Sequence, residues 1–429
     1  MANRLKILVV SQYWKPENGI PQRRWAWLTK LLVDQGHDVL VVAPFPHYRE
    51  APVSFGEGMG SVGRVVEEGD AGERILRTGY IPARDSLTSR SLNQLSVAFG
   101  ALIASLASRS PVRSFNPDVV IGTVPALPTA VVAYIISKVL RVKLVVDLRD
   151  AWPSLLDYSS VWNESTGRRS IREKVFSRGP LQGAKFLVKL SLNSVLKAAD
   201  LIVVTANNLC SDLVADGIPF DRIATIRNVF PSEGEEIRRV VTRPQSPMLN
   251  VLYAGTIGRA QGLENALEAA ELASNFGVSV NLRIVGAGAA SSNLEELAKD
   301  SPAVITIEPL RDADALDELY EWADTALVHL KSWRPLESAI PSKTYELMER
   351  GIHITAVANG ETAELVSTLE AGSVVPPENP QVLAETWVEL SKHRDNLLVS
   401  DKGAKWVKEQ RERAVPRCLR AIVANLSEG

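Results

Sequence analysis

The sequence predicts an α/β protein of two doubly wound parallel-sheet domains in tandem, and three observations carry that prediction. Short apolar runs rich in β-branched residues, among them LKILVV, DVVIG, KLVVDL and LIVVT, recur along the first half. They are near-continuous rather than alternating, as strands covered on both faces are. Helical patterns stand between them, so that each strand leads into a crossover. The alternation halts in the polar stretch SEGEEIRRVVTRPQSP and starts afresh at NVLYAGT, which places a domain boundary near residue 240. One core is not expected to serve 429 residues.

In the first domain, residues 1–240, LKILVV is followed by the loop SQYWKPENGI. A helix opened by Pro21 and closed by Gly36 comes next, and then the strand DVLVVAPF. KLVVDL ends in Asp147, Arg149, Asp150 and Trp152, a position where such folds place ligand-binding or brace residues. His47 ends the second strand and suits the same rim or an ordinary surface site. The second domain, residues 241–400, reads strand NVLYAGT, helix LENALEAAELASNFG, strand SVNLRIVG, helix NLEELAKD and strand AVITIEP. Helix DADALDELYEWAD, strand TALVHL, helix PSKTYELMERG and strand IHITAVA complete it. Residues 401–429 form a final helix expected to pack back on the first domain. The carboxyl ends of the two sheets are expected to face a ligand cleft.

Composition excludes several classes. Lys and Arg number 48 against 50 Asp and Glu, a net charge of −2, so no global field favours nucleic acid. Cys210 and Cys418 stand far apart, which argues against a disulfide framework or a zinc knuckle and for a reducing compartment. The apolar stretch VPALPTAVVAYIIS stops at Lys138, short of the roughly 20 residues of a spanning helix, so a cytoplasmic protein is expected. Lys185, Lys189 and Lys197 flank an apolar stripe at Val188, Leu192, Val195 and Ala199. Such a face can lie on an anionic bilayer or pack on its own domain.

The loops carry the candidate chemistry. GTIGRAQG sets Gly255, Gly258 and Gly262 around Arg259 just before a helix, a cradle for a diphosphate or a plain tight turn. In IPSKTYELMERG, Ser342 and Lys343 lie at the positive end of a short helix and Glu346 about one turn inside. A carboxylate there can hold a sugar diol or can be a solvated helix residue. Glu361 and Glu364 belong to the same rim or to an ordinary capped helix. Gly286 and Gly288, with Glu308 beyond, match a dinucleotide fingerprint loosely, but they follow the second strand of their domain rather than the first. Asp312 and Asp314 spell D-x-D, read here as a helix cap rather than a metal site. No His or Cys cluster has metal-ligand spacing, and neither G-x-S-x-G nor a P-loop is present.

Taken in order, SQYWKPENGIPQRR, GHDVLVVAPFPHY, VVDLRDAWP, AGTIGRAQGLENAL, IVGAGAASSNLEEL, IPSKTYELMERG and VVPPENPQVLAE resemble the retaining glycosyltransferases of family 4, which have the GT-B fold. The resemblance covers essentially the whole chain. It points to the bacterial branch that builds lipopolysaccharide, capsule and exopolysaccharide, including fucosamine-type transferases. It implies a nucleotide-sugar donor, usually a UDP-sugar, and a saccharide or polyprenyl-diphosphate-linked acceptor. The enzyme would need neither metal nor other cofactor, and would sit in the cytoplasm or peripherally on the anionic inner leaflet.

By position, Arg259 would meet the donor diphosphate, Glu346 the ribose and the backbone near Leu310 the base, with Gly19 close to the phosphates. Gly258, Ser338, Ser342 and Lys343 fall on the same donor side. Asp150, Arg149 and His47 would line the acceptor side, and Asp150, Arg259, Lys343 and Glu346 are the candidate catalytic set. Two positions depart from the family pattern. Ser338 stands eight before Glu346 where the family has a glutamate, with Glu337 one place off, and Gln261 replaces a basic residue after Arg259. Lys343 could restore that missing charge. Two further readings are a nucleotide-sugar-binding partner without turnover and a nucleotide-sugar epimerase on the same fold. NAD-dependent oxidoreduction at Gly286 and Gly288 ranks last.

Overall fold

A computed structural model describes residues 4–46, 66–82, 87–160, 180–231, 248–311 and 313–427. His47 and Asp312 therefore lie outside the described residues. The chain divides into two compact units: Met1–Pro153, Ala184–Phe230 and Arg413–Gly429 form one, and Ser154–Gly183 with Pro231–Glu412 the other.

The first unit carries eight strands among its described residues. These are β1 (Lys6–Val10), β2 (Asp38–Pro44), β3 (Val66–Glu68), β4 (Arg74–Thr78), β5 (Val119–Val124), β6 (Lys143–Leu148), β7 (Leu201–Val204) and β8 (Ile223–Thr225). Their order is β3-β4-β2-β1-β5-β6-β7-β8, parallel throughout except for β3 on β4. Strand β1 pairs on both sides, Ile7 opposite Val39 and Val119, and its residues Ile7–Val10 are buried. That is why the run is apolar without alternation. The crossovers are α1 (Ile20–Asp34), α2 (Leu87–Leu106) with α3 (Pro111–Phe115), α4 (Leu127–Leu140), α5 (Pro180–Ala198) and α6 (Asn207–Ala215). Pro21 opens α1 and Gly36, at φ +87°, ends it.

The second unit has a six-stranded parallel sheet of order β11-β10-β9-β12-β13-β14. Its strands are β9 (Met248–Thr256), β10 (Ser279–Ala287), β11 (Val304–Glu308), β12 (Thr325–His329), β13 (Ile354–Val357) and β14 (Gly372–Val375). Its helices are α7 (Glu264–Asn275), α8 (Ser291–Lys299), α9 (Ala313–Trp322), α10 (Ser342–Arg350), α11 (Gly360–Thr368), α12 (Pro380–Lys392) and α13 (Lys402–Glu409). The core lies between the sheet and α7 and α12, around Leu249, Val251, Leu282, Ile284, Leu383 and the fully buried Trp387.

Three features differ from the sequence reading. The turn Ser154–Ser160 groups with the second unit rather than the first: Leu155 packs on the cluster of Leu330, Trp333, Leu336 and Ala358, and Tyr158 stacks on Trp333 at 5.8 Å. The final helix is divided. Helix α13 packs on α10, wide helical turns follow over Gln410–Ala414, and α14 (Val415–Ser427) belongs to the first unit. There Leu419, Ile422, Val423 and Leu426 line a small apolar cavity with Trp25, Leu28, Leu32 and Ile226. Lys143 donates to the carbonyls of Asn425 and Leu426 at the end of α14. Lastly, the α5 stripe is divided: Leu192, Val195 and Ala199 are buried, whereas Val188 is exposed together with Phe186, Leu187 and Leu190.

Candidate functional site

In the second unit the candidate site is built at the carboxyl end of β9. The chain runs from Gly255 through Thr256, Ile257, Gly258, Arg259, Ala260, Gln261 and Gly262 into α7, and neighbouring strands fix this loop from both sides. Ile257 donates to Ala287 O at 3.0 Å and its own carbonyl accepts from Ala290 at 3.0 Å. A Cβ on Gly286 would lie 1.8 Å from Gly255 O, and one on Gly288 2.1 Å from Ile257 O. The G-x-G of β10 therefore serves close backbone packing against this loop. Glu308, the acid of the loose dinucleotide pattern, is held by Arg283 and Arg311, each at 2.5 Å, and these cations keep it below the usual carboxylate range.

From β12, His329 places Nδ1 2.5 Å from Gln261 O and Nε2 3.0 Å from Asn265 Nδ2. A carbonyl only accepts, so Nδ1 carries the hydrogen and Nε2 receives one from the Asn265 amide. Burial pushes His329 down to about 4, so the ring is neutral at physiological pH. Lys331 donates its backbone N–H to Ala260 O at 2.9 Å and sets Nζ 3.2 Å from Glu264, while Gly262, at φ +60°, lies under its stem. The sequence reading passed over both residues. A histidine ending a strand has no local pattern, and its role appears only when β12 is set beside the β9–α7 loop.

Helix α10 supplies the charge. Pro341 caps it without a side-chain hydrogen bond to the first turn, and Gly351 closes it at φ +64°. Lys343, in that first turn, lays Nζ 3.6 Å from the centre of the Tyr253 ring and against Gly255, where a Cβ would come within 2.6 Å. Tyr253 is fixed beneath it, its hydroxyl donating to Thr256 O at 2.6 Å. The Lys343 nitrogen is buried and has no hydrogen-bond partner among the described residues. Loss of water pushes it down to about 7, against the pull of Glu346. A cation over an aromatic face is attracted to it, but all three N–H groups lack an acceptor.

The other donor-side candidates surround this point. Arg259 is half-buried in the loop. Gly258 is covered by Gln261, whose Oε1 would meet a Cβ there at 2.5 Å, so the position of the expected base turns an amide back on its own loop. Glu346 lies 3.5 Å from Arg350, which also reaches Asp317 at 2.7 Å and stacks over Tyr320 at 4.8 Å. Ser342 is half-buried at the start of α10. Ser338 is buried at the end of the turn Arg334–Ser338, whereas Glu337 is exposed. Leu310 lies beyond β11, an edge strand, and is exposed. Glu361, in the first turn of α11, is buried, and Glu364 is exposed. Asp312 is not described, and α9 begins at Ala313. Among the described residues no group of three His, Cys, Asp or Glu could hold a metal ion.

In the first unit, Gly19 caps α1 with extended backbone. Asp147 is a strut, taking Arg24 at 2.8 Å and Trp25 Nε1 at 2.9 Å, while Arg24 also donates to Ile226 O and Asn228. Arg149 is turned inward, its Nε donating to Val124 O at 2.7 Å and lying 3.9 Å from Asp147, so it braces the strand ends. Asp150 follows it. Burial raises its carboxyl, opposed by the Arg149 charge.

A parallel sheet that presents a glycine loop, a helix N-terminus and a buried cation at its strand ends is the arrangement on which nucleotide-binding α/β units are built. The family comparison identifies which one. Residues 21–229 match the glycosyl transferase 4-like domain and residues 235–413 the glycosyl transferases group 1. The chain belongs to the family 4 glycosyltransferases of GT-B fold, and it is an enzyme of that class. A relative in Escherichia coli (strain K12), provisionally named the colanic acid biosynthesis glycosyl transferase WcaI, is 27% identical over 88% of this chain and 90% of its own. Among solved structures, sucrose-phosphate synthase from Thermosynechococcus elongatus matches with TM-score 0.70 at 16% identity, over 99% of both chains. HepE from Anabaena, solved with UDP-glucose, matches with TM-score 0.61 at 15% identity over 99% of this chain and 100% of its own. WaaG, of lipopolysaccharide biosynthesis, matches with TM-score 0.57 at 13% identity and the same coverage.

Proposed function

We propose that this glycosyltransferase moves a sugar from a UDP-sugar to a saccharide or lipid-linked saccharide of the cell envelope, with retention at the anomeric carbon, without a metal, at the anionic inner face of the membrane. The observation that carries the donor assignment is Lys343: a buried ammonium without an acceptor, at a helix N-terminus and against a glycine. A diphosphate satisfies all three at once, supplying oxygens to Nζ and to the open N–H groups of α10. The UDP-glucose complex of HepE and the name of the colanic acid relative support the donor and the envelope acceptor.

In this reading the bond between the sugar C1 and the diphosphate oxygen breaks while the acceptor oxygen bonds to C1 from the same face. The acceptor proton passes to the leaving diphosphate. Arg259, Lys343 and the α10 dipole neutralise the charge that develops there, which is the main means of acceleration such a site offers. Glu346 takes the ribose hydroxyls, Ser338 and Ser342 flank the donor, the backbone near Leu310 meets the base, and Gly19 and Gly258 leave room for phosphates. Asp150 orients the acceptor hydroxyl, and Arg149 acts through Asp147 as a positioning residue.

The test is calorimetric titration with UDP, GDP, ADP and UDP-sugars, with and without EDTA, followed by transfer assays on lipid-linked saccharides. UDP-type binding insensitive to EDTA and lost in Glu346→Ala supports the reading. Binding that requires metal, or conversion of the donor sugar in the absence of any acceptor, overturns it.

A further inference from the structure

The first unit leaves a second surface without a partner among the described residues. On α2, Leu92, Leu95, Phe99 and Ile103 recur at intervals of three and four residues and are 52–64% exposed, while Val97, Ala98, Ala101 and Ala104 face the core. Helix α4 packs on α2 and adds exposed Ile135 and Val139, one turn apart. Ile81, also exposed, is held beside α2 because its N–H donates to Ser96 Oγ at 2.9 Å and its carbonyl accepts from Asn93 at 2.7 Å. Seven large apolar side chains in solvent on two packed helices and one adjoining loop exceed what scattered surface residues explain.

The charged side chains of α2, α4 and the turns that follow them have one sign. Residues 86–146 contain a single acid, Asp118, against Arg90, Arg109, Arg113, Lys138, Arg141 and Lys143. Asp118 accepts the Lys6 backbone N–H at the foot of the sheet, and Lys143 is engaged with the end of α14. Arg90 opens α2, Arg109 and Arg113 follow its end, and Lys138 and Arg141 flank Val139; all five are exposed. A second copy of the same face would bring like charges together, whereas an anionic surface with an apolar interior complements both the rim and the row.

We infer that the α2–α4 face is where this chain docks on an anionic lipid bilayer, with Leu92, Leu95, Phe99 and Ile103 entering the headgroup boundary and the five cations against phosphate headgroups. This deepens the membrane residence proposed above by naming its surface. The experiment is co-sedimentation of the full chain with vesicles of phosphatidylcholine alone and with 30 mol% phosphatidylglycerol (roughly the regime where each cation near the surface changes partitioning about fivefold).

The expected result is partition to the anionic vesicles only. It should fall about tenfold or more in Leu95→Ser/Phe99→Ser and in Arg109→Gln/Lys138→Gln, with unfolding midpoints unchanged because all four side chains are exposed. Wild-type protein that ignores anionic vesicles overturns both this inference and the membrane residence. Wild-type binding that both double variants retain overturns this face alone. Self-association without lipid that is lost in Leu95→Ser/Phe99→Ser assigns the face to a second copy and overturns the bilayer. UDP-sugar binding is independent of all three outcomes, so the donor reading is tested separately.

Discussion

Donor affinity should depend on pH through Lys343. Without ligand the ammonium sits at about 7, brought down from 10.5 by burial over Tyr253. A diphosphate beside Nζ favours the charged form, so binding raises that value and takes up a proton whenever the lysine starts out neutral. At pH 6 about nine in ten side chains already carry the proton, and at pH 8 about one in eleven does. Affinity for a UDP-sugar, whose diphosphate does not titrate in this range, should therefore weaken about tenfold between pH 6 and pH 8, a change of about 1.4 kcal/mol. Calorimetry in two buffers of different ionisation enthalpy should show about 0.9 protons taken up per ligand at pH 8 and about 0.1 at pH 6. Lys343→Met should flatten the profile and weaken binding at both pH values. It should also stabilise the ligand-free protein by about 1–2 kcal/mol at pH 6, because it removes a buried ammonium without an acceptor. Tight, pH-independent binding without proton uptake would refute the argument, as would a Lys343→Met variant that binds like the wild type.

Other consequences can be measured on the same protein. His329 and His353 are both held at about 4 by burial, below an unfolded value of 6.5. The unfolded chain therefore binds more protons between pH 6.5 and 4, so stability falls through that window, by about 3 kcal/mol for each histidine in urea unfolding. Gly286→Ala should place a methyl into Gly255 O, displacing the β9–α7 loop, and should lower stability by about 1–3 kcal/mol together with UDP-sugar affinity; thermal unfolding and titration check this. Trp406→Ala removes the ring stacked at 6.1 Å on Tyr345, which stands between Lys343 and Glu346 on α10. Donor Kd should rise up to about tenfold with kcat changing less.

The parallel sheets were legible because strands buried on both faces must be continuously apolar, as β1, β5 and β6 are, and because Pro21, Gly36 and Gly351 punctuate their helices. The loop of Gly255 and Arg259 and the helix of Lys343 and Glu346 stood out as local patterns for the same reason. What required three dimensions was pairing across sequence. Gly286 and Gly288 look like a cofactor loop until β10 is set beside β9, where Gly286 lies opposite Gly255 and each Cβ would strike backbone. The stripe on α5 reads as amphipathic either way, and only the packing shows that Leu192 and Val195 face the core while Val188 stays in solvent. The rows on α2 and α4 were obscured by high apolar content, in which the exposed and buried faces are equally greasy. His329 and Lys331 act through backbone atoms of residues about 70 positions earlier, a relation no spacing reveals.

The return of α14 to the first unit bears on how the chain is made. Leu419, Ile422 and Val423 cover Trp25, Leu28 and Leu32, so the first unit to leave the ribosome lacks the helix that closes its apolar underside until Val415–Ser427 has been added. The intervening unit, Pro231–Glu412, is complete before that happens. Synthesis thus holds an unfinished first core beside a finished second one for the time needed to add about 180 residues, some 10–40 s at bacterial rates. A chain cut before Val415 would keep every candidate donor residue and still present that uncovered surface to chaperones and to its neighbours.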